Sequence, residues 1–187
     1  TFNGLETDYL GEEWMSLLKV MINTAHREGI KVYLQAGYMP SAVPEDKLPS
    51  PYRFQSLETK EKGKTDIAKN KILNQDEEYI YFEKNQERVV DLLNPEAVKY
   101  YLKKSYTEIY LEEFPKEFGS TIAGIWVNEP HFQPPTLPWG NKLKEKFEET
   151  RGYSLSQNLP SLFRSRKNYQ KIRHDYWRTV AHLLNTS

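Results

Sequence analysis

The chain has 187 residues, 38% of them hydrophobic and 28% charged, which suits one globular domain with a core and excludes wholesale disorder. Lys+Arg and Asp+Glu balance at 26 each, so the zero net charge gives no electrostatic footprint for DNA or RNA. There is no cysteine, which excludes disulfides, thiolate metal centres and thiol nucleophiles, and no apolar run approaches the ~20 residues of a membrane span.

In chain order, Trp14, Leu17, Leu18, Met21, Ile22 and Ala25 recur at helical spacing and predict an amphipathic helix over 11–28. Gly29 supplies a left-handed stop, and the β-rich run 30–36 follows at once. An excursion over 38–93 is too long for a plain loop. Pro40, Pro44, Pro49 and Pro51 make its first part irregular, and its charged middle, 58–70, reads as a solvated surface segment. Its end reads as a β-hairpin, with strands at 78–82 and 88–92 around Lys84-Asn85-Gln86-Glu87.

Asn94 then caps a second helix, with Pro95 at its first position and Glu96 in the first turn. Val98, Tyr101, Leu102, Ser105 and Ile109 mark its inner face, and it stops near Phe114-Pro115. The nearly all-apolar run 122–127 predicts a parallel strand covered on both faces. After Pro130 comes a proline-rich loop, then a helix over 141–150, a short segment over 154–163 and a final helix over 169–185. The last helix buries Ile172, Tyr176, Val180, Leu183 and Leu184 and carries Arg173, Asp175 and Arg178 on its other half. Two helix–Gly–strand steps and a trailing helix predict an α/β fold, about three βα units of a partial (β/α)8 TIM barrel, which as a whole takes ~250 residues. Residues 1–187 therefore read as a fragment of one barrel, with 38–93 an excursion in the same domain. Thr1 without a Met and the helical pattern running up to Ser187 read as cuts.

In such folds the chemistry lies at the carboxyl ends of the strands. Two ends are visible, Gln35-Ala36-Gly37-Tyr38-Met39-Pro40 and Val127-Asn128-Glu129-Pro130-His131-Phe132. At such a rim, low-dielectric wall on one side raises the pKa of a carboxyl toward the range of a general acid, which makes Glu129 the candidate catalytic residue. The Asn128 amide can donate to and accept from a sugar hydroxyl. Gln35, Tyr38, His131, Phe132 and Trp139 are the other candidate substrate contacts, Gln35 by its place at a strand end and the four rings because rings stack on the C–H faces of sugars and aromatics make up 13% of the chain. Asp8 and Asp91 lie near strand-end loops as further candidates. No metal motif, glycine-rich nucleotide loop or G-x-S-x-G elbow is present.

The series Gly124-Ile125-Trp126-Val127-Asn128-Glu129-Pro130, Leu137-Pro138-Trp139, Leu143, Phe147, Gly152-Tyr153-Ser154-Leu155 and Leu159-Pro160-Ser161-Leu162-Phe163 resembles large bacterial glycoside hydrolases of the α-L-rhamnosidase type and their uncharacterised relatives. Leu93-Asn94-Pro95-Glu96-Ala97, Arg173 and Asp175-Tyr176-Trp177 resemble the same group. The resemblance implies a barrel that hydrolyses O-glycosidic bonds of polysaccharides or glycosides, with Glu129 as acid/base. Those relatives usually carry Asp where this chain has Asn128; Asn-Glu-Pro is similar instead to the acid/base strand end of the broad retaining clan of barrel glycosidases. Calcium enters by the resemblance alone, with no ligand set in the sequence. The expected partners are a carbohydrate substrate and the remainder of the chain's own barrel, with a second carboxylate beyond Ser187 and the fragment by itself inactive. The compartment stays open. The rival readings are a non-catalytic carbohydrate-binding or degenerate barrel, in which Glu129 only hydrogen-bonds a sugar, and a structural domain whose rim carboxylate is salt-bridged.

Overall fold

The computed structural model describes residues 7, 8, 10–35, 48–63, 70–126 and 137–187, with the backbone alone at 87 and 88. The chain divides into two compact units: Thr1–Tyr52, Arg88–Val90 and Ala97–His131 form one, and Arg53–Glu87, Asp91–Glu96 and Phe132–Ser187 the other. Among the described residues no helix is long and apolar enough to cross a membrane.

In the first unit, helix α1 (Glu12–Arg27) has Glu12 and Glu13 in its first turn and His26 and Arg27 in its last, both favourable to the helix dipole. Gly29 adopts φ +68°, and the Ile30 amide reaches back to the Ala25 carbonyl, closing the helix as the sequence predicts. Strand β1 (Val32–Gln35) follows and pairs in parallel with β5 (Ile122–Trp126). Between them in the chain runs α2 (Pro95–Leu102), which widens over Lys103–Leu111 into the looser turns of a π-helix. Asn94 caps α2 by accepting the Glu96 amide. Leu18, Ile22, Leu34, Tyr101, Tyr106 and Ile122 belong to the core of this unit. The α1 stripe is narrower than its spacing predicts, because Leu17 and Met21 face solvent.

In the second unit, β2 (Arg53–Glu61), β3 (Lys71–Gln75), β4 (Tyr79–Val90) and β6 (Leu137–Trp139) form an antiparallel sheet in the order β3-β4-β2-β6. Pro138 is tolerated in β6 because that strand is at the edge. Helices α3 (Asn141–Arg151), α4 (Leu159–Phe163) and α5 (Tyr169–Thr186) follow the sheet in the chain. Leu143, Phe147, Ile172, Tyr176 and Val180 pack in one core with Leu57, Tyr81, Leu93 and Trp139 of the sheet and its flanks. The buried Tyr176 hydroxyl donates to the Pro138 carbonyl, tying α5 to β6. Asp175, expected on the polar half of α5, is buried and satisfied by Lys171 and the Tyr153 hydroxyl.

The partial TIM barrel is therefore incorrect. One parallel pair is present among the described strands, and the other four strands are antiparallel in a separate sheet. The error has a physical source: an apolar helix stripe shows that a helix is covered, not which kind of sheet covers it. The stripes of α3 and α5 close on the antiparallel sheet, so the helix trailing the two αβ steps adds no barrel unit. The hairpin around Lys84-Asn85-Gln86-Glu87 is also corrected, since those residues lie inside the single strand β4. The reversal is one turn earlier, where the Asp76 carboxylate accepts the Glu78 and Tyr79 amides, a side-chain-built turn that needs no glycine.

Candidate functional site

The two strands whose carboxyl ends carry the candidate residues are neighbours. The register pairs Tyr33 with Gly124, Leu34 with Ile125 and Gln35 with Trp126, so both strands end at the same level. Because the pair is parallel, the carboxyl ends of both strands, Gln35 and Trp126, are side by side. The segment after Gln35 contains Tyr38 and the segment after Trp126 contains Asn128, Glu129, His131 and Phe132; these five candidates lie outside the described residues.

Residues paired across neighbouring strands share a face, so Tyr33, Gln35, Gly124 and Trp126 lie on one side of the two-stranded sheet. That side is open. Tyr33 and Trp126 are each 61% exposed, and Gln35 is exposed beside them. Gly124 allows Tyr33 to lie low: a Cβ at this position would meet the ring at 3.2 Å. The other side bears on the core through Leu34, which is buried with Leu18 and Ile22 of α1. The apolar run 122–127 was expected to be covered on both faces. Ile122 is fully buried, but Ala123, Ile125 and Trp126 are exposed.

Tyr33 and Trp126 were missed as site residues. The signal was the period-two alternation of β1, in which Val32 and Leu34 are aliphatic and Tyr33 and Gln35 carry polar ends. Such a strand has one face for the core and one for something wetter.

Of the remaining candidates, Trp139 is 3% exposed in β6, paired with Gln55 and packed in the core of the second unit, a structural position. Asp8 is exposed, and its backbone carbonyl accepts the Gly11 amide. Asp91 follows β4 and is 7% exposed. One carboxylate oxygen accepts the Leu93 amide, and the other lies by Gly140. Burial pushes the Asp91 carboxyl up to about 6, against the opposing pull of the Leu93 amide. Its side chain makes no ion pair among the described residues.

His26, in the last turn of α1, bonds through Nδ1 to the Thr121 hydroxyl at 2.9 Å just ahead of β5, a structural tie. Among the described residues no group of three His, Asp or Glu side chains stands close enough to hold a metal ion. Comparison with known proteins returned no matching family model, no matching curated protein and no matching solved structure.

Proposed function

We propose that this chain belongs to a glycoside hydrolase and that Glu129 is its general acid, protonating the leaving oxygen of a bound glycoside. The observation that carries the reading is the open face of the parallel pair, where Tyr33, Gln35 and Trp126 stand together at the strand end from which the Asn128-Glu129 segment follows. Exposed rings beside an amide suit a sugar, whose C–H face stacks and whose hydroxyls need both donors and acceptors. Sequence resemblance adds the reaction class. A second carboxylate completes the chemistry, as nucleophile at ~5 Å for retention or as base for water at ~6.5–9.5 Å for inversion.

The test is Glu129→Gln in the full-length protein, assayed on aryl glycosides of graded leaving-group ability. A general acid matters most where the leaving group is poor, and such catalysis contributes roughly 10²–10⁴-fold. The expected result is a loss of that order on unactivated glycosides and a much smaller one on dinitrophenyl glycosides. Equal activity of variant and parent on unactivated substrates would remove Glu129 from the mechanism. Binding of sugar by a parent protein that hydrolyses no glycoside would favour the non-catalytic reading.

A further inference from the structure

A second place in the molecule has the features of a ligand site, wholly within the second unit and independent of Glu129. Between the Asp76–Glu78 turn and α4 with its flanks lies a cleft of about 530 Å³, lined also by Gln157, Ser161 and Arg166. That volume is in the range of small-molecule sites.

The turn side is held rigidly. Besides the Glu78 and Tyr79 amides, the Asp76 carboxylate accepts the Tyr81 hydroxyl at 2.9 Å and Arg166 Nη2 at 3.1 Å. Burial acts to raise its pKa, but these donors and the Arg166 charge outweigh it and hold the carboxyl down at about 2. Glu78 is paired with Arg164 at 2.7 Å, and that guanidinium lies over the Tyr79 ring. Two of the three acids of the turn are thus neutralised in place.

The cleft also holds polar groups that bond no other described side chain. Ser161 is 5% exposed, yet among the described residues its hydroxyl makes no hydrogen bond, and only its backbone carbonyl is engaged, by Arg173. Lining the cleft, that hydroxyl is open to a hydrogen bond from a group that enters it. The Gln157 amide and the Glu77 carboxylate make no hydrogen bond or ion pair among the described residues either. Arg166 uses one nitrogen on Asp76 and keeps the rest of its fork of donors.

We infer that this cleft binds an uncharged sugar unit, its hydroxyls bridging Ser161, Gln157, Glu77 and the spare donors of Arg166. The free groups include donors and acceptors in similar number, which matches hydroxyls that do both. Three carboxylates against the two guanidiniums of Arg164 and Arg166 leave one negative charge, which opposes an anionic ligand. Arg166 within the cleft opposes a cationic one.

The experiment is a ¹H–¹⁵N titration of the whole chain with uncharged trisaccharides built of glucose, xylose, mannose or rhamnose. Trigalacturonate and inorganic phosphate serve as charged comparisons. The expected result is saturable movement of the amides at 76–79, 157, 161 and 166 with at least one uncharged sugar. Ser161→Ala and Gln157→Ala should each weaken that binding fivefold or more, and Glu129→Gln should leave it unchanged. If Ser161→Ala disturbs the rest of the spectrum, exposed Gln157→Ala carries the test. The proposal is overturned if no uncharged sugar moves these amides, if Gln157→Ala binds as the parent does, or if the charged ligands bind as tightly.

Discussion

The two units treat their apolar side chains differently. In the second, the antiparallel sheet and helices α3–α5 close on each other, and among its described residues only Ile72 and Trp177 remain as large exposed hydrophobics. The first unit leaves out Leu17, Val20 and Met21 along α1, Tyr33 on β1, and Ile125 and Trp126 on β5. Both have a connected buried core, so the contrast is not one of folded against unfolded. The second unit spends its apolar surface on itself, whereas the first keeps aromatic surface at the strand end that precedes Asn128-Glu129.

The largest effect expected from this contrast concerns stability. Phe147 is fully buried between α3 and the sheet, so Phe147→Ala should cost about 3–5 kcal/mol. Trp126→Ala removes a larger ring from an exposed place and should cost less than about 1 kcal/mol. Urea denaturation of both variants checks the pair, and equal losses would break the contrast.

Next comes a pH effect confined to the second unit. Because the folded Asp91 carboxyl titrates near 6, above its ordinary value of 3.8, the folded state holds its proton more tightly than the unfolded chain does. Its contribution is therefore favourable below about pH 4 and is lost as pH rises through 6. Asp91→Asn keeps an oxygen for the Leu93 amide and carries no charge. The variant should gain about 2–3 kcal/mol over the parent at pH 7 and nothing at pH 4. Denaturation curves at pH 4, 5, 6 and 7 measure this, and a difference constant with pH would contradict it.

The smallest effect tests the packing under the open face. The Tyr106 hydroxyl is buried in the first unit's core beside the Tyr101 hydroxyl, without a well-formed hydrogen bond among the described residues, and burial first, then the Tyr101 hydroxyl, raises its pKa well above the ordinary value. Tyr106→Phe should therefore be neutral or stabilising by up to about 1 kcal/mol. A clear loss in thermal melting would mean that the hydroxyl has a partner.

What the sequence made legible was local. Helix α1, its Gly29 stop, the Asn94 cap, strand β5 and the helices after residue 140 all follow from spacing and from caps with a definite chemistry. Pairing between distant segments was not legible. Nothing local in Arg53–Glu61 or in Leu137–Trp139 says that these two strands pair, or that the helices after them face that sheet. The same limit applies to the site. Gln35 and the segment carrying Glu129 could be nominated because strand ends are local features. Trp139 was grouped with them by nearness in sequence, although its ring is in the other unit's core. Tyr33 escaped notice because the openness of one sheet face depends on what the rest of the chain does.

The central claim is that the open face of the parallel pair meets sugar while the core of the second unit does not. Its most direct test follows the indole N–H signals of Trp126 and Trp139 as a glycoside substrate analogue is titrated into the protein. The expected result is saturable movement of the Trp126 indole with the Trp139 indole unmoved. A Trp126 indole that stays still while the sugar binds elsewhere would contradict the account.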